Sequence, residues 1–155
     1  MLVITSSNAR PYDRSARYAE AEGEEAMRRR VEANRPWAKA MGYARAVRVG
    51  SVVEVSGTAA AAPDGTVLSP GDVEGQTRAA LTTIGEALEE LGASFGDVVR
   101  TRVLLADASR WEEAARAHGE VFGDVRPANT TVGGLEFIDP AILVEVEVSA
   151  VVEPG

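Results

Sequence analysis

The stretch Leu143-Val144-Glu145-Val146-Glu147-Val148-Ser149-Ala150-Val151-Val152 decides how the rest of this chain is read. Val144, Val146, Val148, Ala150 and Val152 fall on one side of a two-residue period, with Glu145, Glu147, Ser149 and Val151 on the other. That alternation predicts a strand with one face in a core and the other face polar. Such a strand needs partners beside it and a second layer over its apolar face.

Both are found upstream. Ala44–Val49 and Val52–Ser56 are β-prone runs joined by Gly50-Ser51, which predicts a hairpin. Val98–Leu105 predicts another strand, with Val99, Thr101, Val103 and Leu105 set against Val98, Arg100, Arg102 and Leu104. Asn129–Val132, after Pro127, predicts a short one. Between them, a helix over 72–91 carries the stripe Leu81, Ile84, Leu88 and Leu91, with Gly92 where a C-terminal cap belongs. Ser109 and Glu112 read as a capping box opening a second helix, which puts Trp111, Ala114, Ala115, His118, Val121 and Phe122 on one side and stops at Gly123. Residues 57–71 read as a loop turning at Pro63-Asp64-Gly65.

The predicted order is ββαβαββ, an α+β fold in which both helices cover one face of a mostly antiparallel sheet. The first 34 residues read as an N-terminal extension and residues 35–155 as the domain proper. Met1–Thr5 suggests a short strand, and Asp13–Asn34 a helix with a thin apolar stripe, ended by Arg35-Pro36.

Composition bounds the function. With 155 residues, 45% hydrophobic and 26% charged, the chain suits one globular domain. It has no cysteine, which excludes disulfides, thiolate metal sites and cysteine nucleophiles, and a single histidine, His118, which excludes a multi-histidine metal site in one chain. No metal and no cofactor are expected, although a carboxylate-only site stays open. No apolar run approaches the roughly 18 residues of a membrane span, and no signal peptide is visible, so a cytoplasmic protein without membrane contact is expected. A net charge of −8 repels a phosphate backbone and makes nucleic acid an unlikely partner.

Among ionisable groups, Glu145 and Glu147 stand out. A solvated polar face is the plain reading; the other is an inter-subunit wall on which a carboxylate acts as general acid or base. His118 reads as a packing or surface residue rather than a catalytic one, and Arg28-Arg29-Arg30 as a solvated helix face. The residues taken singly give a small α+β domain whose sheet has one uncovered face.

Taken in order, however, they resemble a known family. Gly42-Tyr43-Ala44-Arg45-Ala46-Val47 with Gly50, Val55-Ser56-Gly57-Thr58, Gln76-Thr77-Arg78, Gly92-Ala93-Ser94, Asp97-Val98-Val99-Arg100, Phe122-Gly123, Arg126-Pro127-Ala128 and Leu143-Val144-Glu145-Val146-Glu147 together resemble the Rid (YjgF-like, reactive intermediate deaminase) family. The resemblance spans Trp37 to Val152, about three quarters of the chain. It implies a chorismate-mutase-like fold, a homotrimeric barrel, and small-molecule clefts between subunits in which enamines and imines are hydrolysed. Carried over by motif, Tyr43, Ser56 and Gly57 would bind substrate, and Glu145 would position the attacking water.

One position departs from the pattern. After Pro127-Ala128, archetypal members carry an arginine that grips the substrate carboxylate; this chain has Asn129, an amide without charge. Ala115 stands where archetypes often carry an asparagine. Efficient hydrolysis of 2-aminoacrylate is therefore not expected, and the substrate is expected to be an imine, enamine or keto compound less dependent on its carboxylate. Arg126 is carried as a candidate replacement beside Asn129. The alternative readings are an endoribonuclease or translation inhibitor, as reported for some relatives, and a non-catalytic ligand-binding trimer.

Overall fold

The computed structural model describes residues 28–35 and 37–153. The elements are β1 (Arg28–Glu32), α1 (Ala38–Met41), β2 (Ala44–Val49), β3 (Val52–Ala59), α2 (Val73–Glu90), β4 (Val98–Leu105), α3 (Trp111–Phe122), β5 (Ala128–Val132) and β6 (Val144–Val151). The strands form one sheet in the order β1-β2-β3-β6-β4-β5. All neighbours run antiparallel except β4 and β5, which are parallel.

β6 is a central strand, as its alternation predicts. Val144, Val146, Val148 and Ala150 are buried with Leu81, Ile84, Leu88 and Leu91 from α2 and its C-terminal turn. Helix α2 starts at Asp72, whose carboxylate accepts from the Gly75 N–H, and ends at Gly92 in the left-handed region at φ 71°. The Gly92 and Ala93 N–H groups return to the carbonyls of Glu89 and Leu88. Arg48 and Arg29 donate to the next carbonyls, those of Leu91 and Glu90, at 2.7 and 2.5 Å. Positive charge there suits the negative end of the helix dipole.

Several local expectations are corrected. Arg28–Glu32 is a strand along the β2 edge, not the end of a helix; pairing with β2 satisfies its backbone, which a thin helical stripe could not do by packing. The remainder of the expected helix, residues 13–27, and the expected strand at Met1–Thr5 lie outside the described residues. Gly57 and Thr58 belong to β3, not to a loop, because a register shift between Val55 and Thr58 lets the strand continue. A second shift between Val98 and Arg100 leaves Val98 buried and Val99 exposed, reversing the predicted alternation at the start of β4. The turn before α3 is capped by Asp107, which accepts from the Ser109 N–H and hydroxyl; the expected Ser109–Glu112 box does not form. On α3 the buried residues are Ala114, Ala117 and Phe122, while Trp111 is 54% exposed. Gly123 keeps a helical conformation, and the left-handed residue of the exit turn is Arg126 at φ 53°.

No helix among the described residues is long and apolar enough to cross a membrane. The core of the domain lies in the α2–β6 layer. Leu88→Ala, at a fully buried position, should lower the unfolding free energy by about 2–5 kcal/mol. Arg30→Ala, which removes an exposed 3.6 Å ion pair to Glu32, should change it by about 0.5 kcal/mol or less. Chemical denaturation of the two variants checks both.

Candidate functional site

The period that buries the valines of β6 directs Glu145 and Glu147 to the other face of the sheet. There a cavity of about 600 Å³ opens, bounded by Tyr43, Arg45, Gly57, Glu145, Trp37 and Ile138 among others. Tyr43, Ser56, Gly57 and Glu145, the residues singled out by motif, all line it. The Ser56 hydroxyl is committed within the strand pair, donating to the Ala44 carbonyl at 2.8 Å.

Glu145 and Gly57 fit each other by space alone. A Cβ built on Gly57 would lie 2.8 Å from Glu145 Oε2, closer than contact allows. Any side chain at this position would push the Glu145 carboxylate from its place over the strand, and the backbone of Gly57 is not left-handed. Burial raises the Glu145 pKa above the ordinary carboxylate range; the positive charge of Arg45 opposes this and the negative charge of Glu147 adds to it. Glu147 is itself paired with Arg102 at 2.9 Å. The two carboxylates, equivalent by period, therefore differ in environment: Glu147 is ion-paired, and Glu145 is partly buried and biased towards holding a proton.

Arg45 is a site residue that the sequence reading missed. It is 6% exposed, and burial lowers its pKa. Its Nη1 donates to the Gly57 carbonyl at 3.2 Å and to Thr58 Oγ1 at 2.8 Å, and the Thr58 hydroxyl donates to the Ser56 carbonyl. The guanidinium thus clamps the irregular part of β3 that presents Gly57 to Glu145. The signal was the position of Arg45 in a strand between Ala44 and Ala46, on the opposite side from the buried Ala46. Arg35 also borders the cavity, but its Nη atoms are committed to the carbonyls of Asn34, Ala61 and Ala62.

Asn129 and Arg126 are not brought to this cavity. Asn129 lies on β5 opposite Thr101 and faces the helices, so the sheet separates it from Glu145. Its Nδ2 donates to Thr101 Oγ1 at 2.9 Å and its Oδ1 accepts from the Thr131 hydroxyl at 3.0 Å. Thr101 Oγ1 is 2.9 Å from His118 Nε2. Burial lowers the His118 pKa, which favours a neutral ring accepting the Thr101 proton at Nε2. A cleft of about 150 Å³ adjoins this chain of contacts, lined by Trp111, Ala115, His118 and Asn129 among others. Arg126 is exposed in the turn before β5, its N–H bonded to the Phe122 carbonyl.

Comparison with known proteins agrees with this architecture. The sequence profile of the family described as endoribonuclease L-PSP matches residues 32–152. The chain belongs to the Rid family. An uncharacterized protein of Streptomyces coelicolor is 43% identical to this Rid protein over 122 residues, which is 79% of the chain and 90% of that relative. The crystal structure of a Mycobacterium tuberculosis member of the YjgF/YER057c/UK114 family superposes with a TM-score of 0.72 at 40% identity, covering 81% of this chain and 99% of the other. The mouse 2-iminobutanoate/2-iminopropanoate deaminase is 34% identical over 86 residues, 56% of this chain and 64% of the enzyme.

The raised pKa of Glu145 has a consequence for stability. The native protein holds this proton at a pH where the unfolded chain has already lost it, so the contribution is fully present below the unfolded value of about 4.3 and is lost as pH rises through the native pKa. Glu145→Gln should therefore raise the melting temperature at pH 7 and give no such gain at pH 4. Thermal unfolding of both proteins at the two pH values checks the sign.

Proposed function

We propose that this Rid protein hydrolyses an imine or enamine, or acts on the related keto compound, in a cleft between the subunits of a homotrimer, with Glu145 as the acid/base group. The observation that carries this reading is the partly withdrawn Glu145 carboxylate held over Gly57 in a cavity of about 600 Å³. A carboxylate in that environment can take a proton from water as the oxygen adds to the C=N carbon. It returns that proton to nitrogen, which gives a carbinolamine. The same carboxylate then takes the carbinolamine hydroxyl proton and passes it to nitrogen as the C–N bond breaks and the C=O bond forms, so that the products are a ketone and ammonia. Tyr43 and the backbone around Gly57 bind the substrate beside it.

Two features support a site completed by a second copy. Met41 and Ile138 line the same cavity while 67% and 79% exposed, an open apolar rim of the kind that an assembly or a ligand covers. Asn129 and its cleft face away from Glu145 within one chain, so only a neighbouring chain could bring an Asn129 to a Glu145. In the archetypal pattern this position carries the arginine that grips the substrate carboxylate. Here the amide is already engaged by Thr101 and Thr131, and it brings no charge. Small imino acids are therefore poor substrates. A ribonuclease is disfavoured by the net charge of −8.

Light scattering should give about three times the 16.3 kDa chain mass; a monodisperse monomer would remove the cleft altogether. In steady-state assays, wild type should hydrolyse 2-iminopropanoate weakly, and Asn129→Arg should raise the rate. Once a substrate is turned over, Glu145→Gln should reduce kcat about 100-fold with KM little changed, and Glu147→Gln should have a much smaller effect. Normal turnover by Glu145→Gln would leave a binding trimer as the better reading.

A further inference from the structure

The 600 Å³ cavity holds a cation, Arg45, that forms no ion pair with any of the described residues. Arg45 is 6% exposed, yet no carboxylate among the described residues lies within ion-pairing distance of it. Its only hydrogen bonds among those residues leave from Nη1. Nε and Nη2 are therefore without partners there. No wholly buried side-chain nitrogen or oxygen among the described residues lacks a partner, so the small open surface of Arg45 includes these two atoms. Nε and Nη2 form the edge of a guanidinium that binds a carboxylate through two parallel hydrogen bonds.

That edge has two cavities to choose from. Arg45 also borders a smaller one of about 290 Å³, shared with Glu32, Glu86 and Glu90. Of the groups that act on it electrostatically, Tyr43 and Glu145 line only the larger of these two cavities, and Arg35 lines both. Before a second copy closes over its rim, the larger cavity is within the size range of sites for drug-sized ligands and exceeds what a three- or four-carbon acid fills.

We infer that Arg45 is the carboxylate anchor of this cavity. The substrate is then an anionic imine, enamine or 2-keto compound larger than a four-carbon acid, its carboxylate on the Nε–Nη2 edge and its reacting carbon towards Glu145. This deepens the proposed function and rests on it for the position of the reacting carbon. It also assigns the charge lost at Asn129 to a different wall of the site, and not to Arg126.

Benzoylformate and acetophenone test this, being aryl ketones that differ in one carboxylate. Titrated into the full-length protein and followed by NMR, benzoylformate should bind wild type about tenfold or more tightly than acetophenone. Arg45→Gln keeps an amide NH2 for the Gly57 carbonyl and Thr58 hydroxyl while removing the charge. It should abolish the preference and leave acetophenone affinity within about twofold. Arg45→Lys retains charge without the fork and should keep part of the preference; this variant decides the matter if thermal unfolding shows Arg45→Gln to be misfolded. Equal affinities in wild type, binding of neither ketone, or an undiminished preference in the folded variants would overturn the assignment. Glu145→Gln separates the two readings. Retained preference for benzoylformate with normal catalytic turnover would defeat the catalytic reading alone, and loss of preference only in the Arg45 variants would uphold the anchor.

Discussion

The two-residue period of β6 is the constraint on which the rest depends. Because β6 lies between β3 and β4, it can bury Val144, Val146, Val148 and Ala150 under α2 only by presenting Glu145 and Glu147 on the face the helices leave bare. A shift of one residue would place carboxylates in the core and valines in the cavity. The hydrophobic layer and the position of the acid/base group are thus one requirement. Any substitution that protects the core also protects the direction in which Glu145 points.

What distinguishes Glu145 from Glu147 is supplied by an irregularity. The register shift in β3 brings Gly57 beneath one carboxylate, and Arg45 braces the shifted segment from the side. Hydrogen bonds to a charged group contribute about 1.5–3 kcal/mol each, whereas withdrawing an ion from water costs several kcal/mol. Two bonds from Nη1 to neutral acceptors, about 3–6 kcal/mol together, are comparable with that cost, yet burial still disfavours the charged form of Arg45 and the anionic form of Glu145. Both groups sit in places that folding alone does not reward. Such places are where binding and catalysis are expected to recover the cost.

The layer structure could be read from the chain because it depends on periodicity, and the stripes of α2 and β6 are uninterrupted. The Gly50-Ser51 hairpin and the Gly92 cap were equally legible, each resting on a local backbone rule. Reading failed where tertiary contacts override local pattern. Arg28–Glu32 has the composition of an exposed helix, and only the open edge of β2 makes it a strand. Ser109 and Glu112 satisfy the spacing of a capping box, but Asp107 reaches the same N–H first. The cavity residues Tyr43, Ser56, Gly57 and Glu145 were found by motif, since nothing in their spacing shows that they converge. Arg45 lay within a quoted motif, yet its burial depends on strands and turns distant in sequence. Asn129 stands out in the sequence by its lack of charge, but only the parallel pairing of β5 with β4 reveals that it faces the helices.

That parallel pairing also divides the sheet by local stability. β6 is hydrogen-bonded on both sides and covered by α2, so its amides open to solvent only when most of the domain opens. β5 is an edge strand among the described residues, with all five residues exposed and one parallel ladder to hold it. The wall that carries Glu145 is consequently anchored in the slowest-exchanging part of the molecule. The strand that carries Asn129 belongs to a part that can open and adjust without disturbing it.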